Sequence, residues 1–127
     1  MATTLYRKFT IEAGRYLSAI SAGHPCARMH GHTFIIQVHV TGPVQKGTGW
    51  VMDFAELDGK IQAVRQELDH KVLNDIGGLE NPTTELLARW IWDRLAGDLP
   101  GLSRIVIQEN PQSGCIYTGD IERDGRL

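Results

Sequence analysis

The sequence predicts an α+β domain, in which an antiparallel four-stranded sheet carries two helices on one face. Two observations predict this class. Segments near both ends of the chain alternate apolar and polar residues, whereas two central segments repeat apolar residues at spacings of three and four. The resulting order is strand, strand, helix, helix, strand, strand. The 127 residues suit one domain over 1–127, with a loose polar tail from about 121 to 127.

The first two strands lie on either side of a turn-rich loop. Residues 5–15 (LYRKFTIEAGR) alternate as a half-buried strand, and residues 18–28 are small, polar and rich in turn formers. Residues 32–41 (HTFIIQVHVT) alternate again, and their inner phase continues back to His30. These patterns predict a second strand that begins close to a histidine pair.

The two central helices have recognisable starts. Asp53, followed three residues later by Glu56, is typical of a capping box, and this helix ends near LDHKVLND. A second helix is predicted from about Pro82 to Leu95, with Gly97 beyond its end. The predicted apolar faces are Phe54, Leu57, Ile61, Val64 and Leu68 on the first helix, and Leu86, Leu87, Trp90, Ile91 and Leu95 on the second.

The last two strands are predicted at SRIVIQE (103–109) and GCIYTGD (114–120). Glu109 shares its phase with Ile105 and Ile107, but the opposite phase also contains an apolar residue, so either face could be the core side. A four-stranded sheet leaves two open edges, which favour pairing with other chains. A homo-oligomer is therefore expected.

Composition excludes several classes of partner. The net charge of −2 predicts no binding of nucleic acid or of an anionic membrane, and no apolar run approaches membrane-spanning length. The N-terminal residues lack an apolar signal core, so a cytoplasmic location is expected. The two cysteines are too few for a disulfide framework, which fits a reducing compartment.

His30 and His32 point to the same face of the predicted second strand, as two metal ligands would. A protein zinc site needs at least a third ligand. For an arbitrary pair of this spacing, two structural histidines are the more common outcome. The residues of this segment alone therefore leave the metal open.

Two further features have a chemical and a structural interpretation. Cys26 precedes the histidine pair and is either a reactive thiolate or a small buried thiol, whereas Cys115 fits the buried thiol better. Asp69 and His70 lie where the chain leaves the first helix. They are either a proton-transfer couple or an ordinary helix end, where histidine is electrostatically favourable.

Glu109 is unusual if its strand turns that phase inward, because a carboxylate inside a sheet needs hydrogen-bond donors. A guanidine-like ligand edge offers two parallel N–H groups, the geometry that a carboxylate accepts best. The alternative is that Glu109 ends the strand in water.

Four motifs in one order resemble the 6-pyruvoyl-tetrahydropterin synthase family over nearly the whole chain. They are CARMHGH, GWVMDFAEL, LDHKVLND followed by LENPTTE, and IVIQE followed by GCIY. The similarity is greatest to the branch of bacterial 6-carboxy-5,6,7,8-tetrahydropterin synthases, enzymes of queuosine and 7-deazapurine biosynthesis. The resemblance implies the tunnelling fold, in which subunits join edge to edge into β-barrels, commonly as hexamers of two stacked trimers with active sites between subunits.

The resemblance also implies a zinc-dependent lyase that acts on 7,8-dihydroneopterin triphosphate. The 6-carboxy branch releases acetaldehyde and triphosphate, and the pyruvoyl branch eliminates triphosphate and isomerises the side chain. The residue roles that it implies are Cys26, Asp69 and His70 for catalysis, Glu109, Thr83 and Thr84 for pterin binding, and His30 and His32 for zinc.

The third zinc ligand departs from the family pattern. Where the family has F-x-A-A-H-R-L, this chain has IEAGRYL, which places Arg15 at the histidine position. A guanidinium keeps its proton and has no free lone pair for a metal. Zinc binding is therefore predicted to be weak or absent, with Arg15 binding substrate oxygens instead. His24 is a poor replacement, because the family has a histidine there beside its three ligands.

Two functions remain open at this point. The first is a 6-carboxytetrahydropterin synthase-like lyase with an impaired zinc site. The second is a pterin-binding homologue that lacks synthase activity or uses a different pteridine.

Overall fold

The computed structural model describes residues 2–119, so the predicted loose tail lies outside the described residues. Its elements are β1 (Ala2–Arg15), β2 (His30–Pro43), α1 (Phe54–Leu68), α2 (Thr84–Leu95), β3 (Leu102–Asn110) and β4 (Ser113–Tyr117). The strands form one antiparallel sheet in the order β1-β2-β3-β4. The predicted α+β class and element order are confirmed.

The core lies between one face of the sheet and the two helices. Ile105 and Ile107 are fully buried on β3, which establishes the phase shared with Glu109 as the helix-covered face. The buried positions of the other strands are Ile11, Ala13, Phe34, Ile36, Val38 and Val40. The helices contribute Leu57, Ile61, Val64, Leu68, Leu87, Ala88, Trp90, Ile91 and Leu95.

Two helix residues predicted to be buried are exposed. Phe54 is the first residue of α1, and the Arg7 guanidinium covers its ring at 4.7 Å. Leu86 lies in the first turn of α2 and turns outward, whereas Thr84 and Ala88 occupy the buried face beside it. Both errors arise in the first turn of a helix, at the start of its apolar repeat.

Side-chain caps determine where the helices begin. Asp53 Oδ1 accepts a 2.9 Å hydrogen bond from Ala55 N, and Thr83 Oγ1 accepts one of 3.1 Å from Leu86 N. The second helix therefore starts at Thr84, two residues after the predicted Pro82, because the residue before it supplies the cap. The strands also differ at their ends, since β1 begins at Ala2 rather than residue 5 and β4 ends at Tyr117 rather than residue 120.

The chain that leaves α1 covers the outer edge of β1 near its end. His70 N donates to Glu12 O at 2.6 Å, and Gly14 N donates to Lys71 O at 2.9 Å. Gly14 also forms a parallel bridge with Val72. This short addition to the sheet places the Asp69–His70 segment next to the end of β1. Among residues 2–119, no helix has the length and apolarity needed to cross a membrane.

Candidate active site

A cleft of about 660 Å³ lies where the ends of β1 and β2 meet the segment after α1. It brings together three predicted site residues, His32, His70 and Glu109, with two residues that the sequence analysis missed, Glu12 and Thr33. A larger groove of about 830 Å³ between β1 and α1 contains none of the predicted site residues. We therefore take the smaller cleft as the candidate active site.

Asp69 is held by three donors. Its Oδ1 accepts a 2.8 Å hydrogen bond from Glu12 N, and its Oδ2 lies 3.0 Å from His70 Nδ1 and 3.1 Å from Arg65 Nη2. The hydrogen bond from Glu12 N, together with those from His70 and the charge of Arg65, lowers the pKa of Asp69 below its ordinary value of 3.8. Asp69 is therefore a carboxylate that orients the His70 ring.

His70 adopts a backbone conformation that side chains rarely adopt. Its φ is 61°, and the 2.6 Å hydrogen bond to Glu12 O holds it in place. The result is an imidazole that is 78% exposed at the cleft while its Nδ1 stays on Asp69. Backbone strain of this kind persists where the surroundings enforce it, and it is commonest at functional sites.

Arg15 is buried, with 7% of its surface exposed. Its Nη2 forms an ion pair with Glu109 Oε1, and its Nη1 donates to Pro82 O at 3.0 Å and to Thr84 Oγ1 at 3.3 Å. The guanidinium lies over the Phe34 ring, with Cζ 4.9 Å from the centroid. The charge of Arg15 is therefore directed at Glu109, the carboxylate predicted to clamp a pterin.

The donors at the histidine pair do not fit a three-ligand zinc site. Arg15 is the direct register partner of His30, so a guanidinium side chain occupies the β1 position beside the pair. His30 Nδ1 lies 2.8 Å from Arg28 O, and His32 Nε2 is buried without a partner. Within residues 2–119, no three His, Cys, Asp or Glu side chains are grouped closely enough to hold a metal ion. His24 does not complete the set, because its Nδ1 accepts a hydrogen bond from Cys26 N at 3.1 Å.

Cys26 lies in a short 3-10 turn, Pro25–Ala27, and is not among the residues that line the cleft of its own chain. Its carbonyl oxygen accepts a 2.8 Å hydrogen bond from Leu17 N, so its main chain holds the loop together. Cys115 Sγ donates to Thr84 O at 3.5 Å, and burial, with the charges of Glu85 and Glu109, raises the pKa of its thiol. This environment agrees with the structural interpretation of Cys115.

The two threonines predicted to line a pterin pocket have other contacts. Thr83 caps α2 and Thr84 bonds to Arg15, and neither lines the cleft. Glu12 and Thr33 do line it, and Thr33 Oγ1 donates to Glu12 Oε2 at 2.6 Å. Glu12 is exposed, on the phase of β1 opposite to the buried Ile11 and Ala13. Glu12 and Thr33 are partners in the register of β1 and β2, next to the pair of Ala13 and His32. This register is the signal that could have identified them.

The four-stranded antiparallel sheet with two helices on one face is the tunnelling fold of pterin synthases, and the Asp69–His70 couple lies at the end of β1. The chain belongs to the 6-pyruvoyl tetrahydropterin synthase family, whose model matches residues 4–120.

Similar proteins carry different names. A dihydroneopterin monophosphate aldolase of Pyrococcus furiosus is 44% identical over 89 residues, covering 68% of this chain and 75% of its own length. A 6-carboxy-5,6,7,8-tetrahydropterin synthase of Synechocystis is 37% identical over 119 residues, covering 89% of this chain and 91% of its own length. The solved 6-pyruvoyl tetrahydropterin synthase of Caenorhabditis elegans superposes with a TM-score of 0.87 over 94% of this chain and 97% of that chain. It is 24% identical, so it establishes the fold alone.

Proposed function

We propose that this protein breaks the C1′–C2′ bond in the side chain of a 7,8-dihydroneopterin phosphate ester. The reactions named for the two relatives, the aldolase and the 6-carboxytetrahydropterin synthase, both break this bond. Loss of acetaldehyde to give a 6-carboxypterin leaves C1′ on the ring and removes C2′ and C3′. A retro-aldol cleavage of the same side chain also separates C1′ from C2′. The bond is therefore common to both reactions, which differ in the oxidation level of C1′ and in the fate of the phosphate ester.

The first candidate is the retro-aldol reaction. A base removes the proton of the 2′-hydroxyl, the C1′–C2′ bond breaks, and its electron pair is delocalised from C1′ into the C6=N5 bond of the ring. Protonation of C1′ gives 6-hydroxymethyl-7,8-dihydropterin, and C2′ with C3′ leaves as glycolaldehyde phosphate. No atom, electron or water is added or lost. The ring is the electron sink, so this reaction needs neither a Schiff base nor a metal.

The observation that carries this candidate is the Arg15–Glu109 ion pair beside the histidine pair. A third zinc ligand is replaced by a buried cation, whereas the proton-transfer couple is retained beside it. Acid–base chemistry is thus supported by the side chains of the cleft, and Lewis-acid chemistry has no three-ligand donor set in it.

The proposed roles follow from position. Glu109 accepts the N–H edge of the pterin, and His70, oriented by Asp69, moves the side-chain proton. Cys26 is the second proton-transfer group, and it reaches the cleft across a subunit contact of the homo-oligomer, for which we expect a hexamer. Glu12, hydrogen-bonded to Thr33 at the rim, takes a side-chain hydroxyl.

The second candidate is 6-carboxytetrahydropterin synthesis from 7,8-dihydroneopterin triphosphate, the reaction of the queuosine pathway. The extent of the match to the Synechocystis enzyme favours it, since that similarity covers 89% of this chain. A pterin-binding homologue without turnover is the remaining alternative.

Product analysis distinguishes these candidates. The purified protein is incubated without oxygen with the monophosphate and the triphosphate of 7,8-dihydroneopterin, beside a Glu109→Gln variant. We expect glycolaldehyde phosphate and 6-hydroxymethyl-7,8-dihydropterin in equal amounts, and none from the variant. Acetaldehyde with free triphosphate would establish the second candidate. Unchanged substrate that remains bound to the protein would identify a binding homologue.

A further inference from the structure

We propose that Arg15 is an internal competitor for Glu109, which a pterin must displace and which makes the cleft selective for phosphorylated pterins. This inference rests on the proposed function, because it takes Glu109 as the group that binds the ring edge. It adds a basis for substrate selection to that function, and a gate, by which we mean that Arg15 must leave Glu109 before a pterin binds.

The side chain of Arg15 runs between two predicted site residues, His30 and Glu109, of which Glu109 lines the cleft. The residue starts opposite His30 at the end of β1, and its guanidinium ends at Glu109 on β3. Between these points it crosses the Phe34 ring, with Cζ 4.9 Å from the centroid. A ligand that reaches from the histidine pair to Glu109 has to follow the same path. The arginine and such a ligand are therefore alternative occupants.

The guanidinium also matches the ligand chemically. Both present a carbon flanked by planar N–H groups, and Glu109 Oε1 is already engaged by the arginine. An ion pair with hydrogen bonds is stronger than the same hydrogen bonds from a neutral ring edge. A neutral pterin therefore exchanges a stronger Glu109 contact for a weaker one, which lowers its affinity.

A displaced Arg15 needs a new partner. It is 7% exposed, and a buried charge that has lost its counter-ion is strongly destabilising. Its Nε already lacks a hydrogen-bond partner, as does the buried Nε2 of His32. Both side chains pack against Phe34, with the His32 ring centroid 4.8 Å from that of Phe34. A phosphate ester supplies hydrogen-bond acceptors for these two nitrogens and a negative charge for Arg15. It therefore replaces the contact with Glu109 that Arg15 loses when the pterin ring binds.

Arg7 offers a matched control elsewhere on β1. It too pairs with a carboxylate, at 2.7 and 2.8 Å from Asp58, and lies over an aromatic ring, Phe54. It lines the separate groove beside α1, away from the candidate active site.

The experiment measures dissociation constants for one neutral and one anionic probe, 6-hydroxymethyl-7,8-dihydropterin and 7,8-dihydroneopterin triphosphate. We expect Arg15→Gln to bind the neutral probe about tenfold more tightly than the unmodified protein, and the preference for the triphosphate to fall by about tenfold or more. Arg7→Gln leaves both constants unchanged. If Arg15→Gln does not fold, Arg15→Lys takes its place. We expect Arg15→Lys to change the two dissociation constants as Arg15→Gln would, by a smaller factor.

A second arm uses guanidinium ion as the probe. In Arg15→Ala, low millimolar guanidinium should occupy the vacated site and weaken binding of the neutral pterin, with no such effect in the unmodified protein.

Weaker or equal binding of the neutral probe by a folded Arg15→Gln or Arg15→Lys variant would overturn the gate. Arg15 would then position Glu109 rather than compete for it, and the proposed function would stand if Glu109→Gln lost pterin binding. Failure of the unmodified protein and all variants to bind either probe would overturn the gate and the proposed function together.

Discussion

Arg15 and Glu109 form an ion pair that joins the end of β1 to the end of β3 at the candidate active site. Arg15 is the residue that departs from the family's zinc-ligand pattern, and Glu109 is the carboxylate expected to hold the pterin ring. Arg15 is also the register partner of His30, so the ion pair lies beside the predicted histidine pair.

Replacing His70 by glycine should separate catalysis from stability. A φ of 61° is unfavourable for histidine and is readily adopted by glycine, which offsets the loss of the Asp69 contact. We expect the free energy of unfolding to stay within about 1 kcal/mol of the original, whereas turnover falls at least about 100-fold. Urea unfolding and product formation measure the two effects. Undiminished turnover in His70→Gly would remove this residue from the mechanism.

The stability of the protein should depend on the ionisation of Asp69. The hydrogen bond from Glu12 N, with the contacts to His70 and Arg65, holds the pKa of this carboxyl below its ordinary value of 3.8. The native state therefore binds this proton less readily than the unfolded state. The stabilisation is complete above about pH 5 and is lost as the pH falls through the native pKa.

The Asp69→Asn variant tests this dependence. Urea midpoints for the two proteins should differ most near neutral pH and converge as the pH is lowered below about 5 and through the native pKa of Asp69. A difference that stays constant across this range would show that Asp69 stabilises the fold only through contacts that do not require its charge.

The two cysteines form a matched pair for testing the catalytic thiol. The hydrogen bonds of Cys26 to Leu17 and His24 use its main chain, so Cys26→Ser should retain the loop and pterin binding. We expect its turnover to fall at least about 100-fold, as the loss of a proton-transfer group does. Cys115→Ser should keep its turnover, since burial raises the pKa of that thiol and it lies against Thr84. Equal turnover in the two variants would contradict the role of Cys26.

Local periodicity predicted the elements because each pattern depends on neighbours in sequence. The phase of residues 103–109 stayed open, since both faces of that strand contain apolar residues. It was decided only by where the helices pack. Phe54 and Leu86 follow the helical repeat and are nevertheless exposed, because the repeat does not show which residues of a first helical turn contact the rest of the fold.

In the candidate site, too, local motifs were recognisable and contacts between distant residues were not. His32, His70 and Glu109 were recognisable from their own motifs, and the cleft brings them together. The partner of Arg15 was not recognisable, because it lies 94 positions along the chain and no local pattern records such a contact. Glu12 was missed because it is exposed, as the alternation of its strand indicates, and the segment after α1 that builds a wall beside it is distant in sequence.

The most direct measurement of the central claim is the zinc content of the purified protein, taken together with its products from 7,8-dihydroneopterin monophosphate. We expect far less than one zinc per chain, with glycolaldehyde phosphate formed all the same. Arg15→His should raise the content to about one zinc per chain by completing a three-histidine set. One zinc per chain in the unmodified protein, with cleavage that stops when a chelator removes it, would contradict the claim that Arg15 replaces the metal.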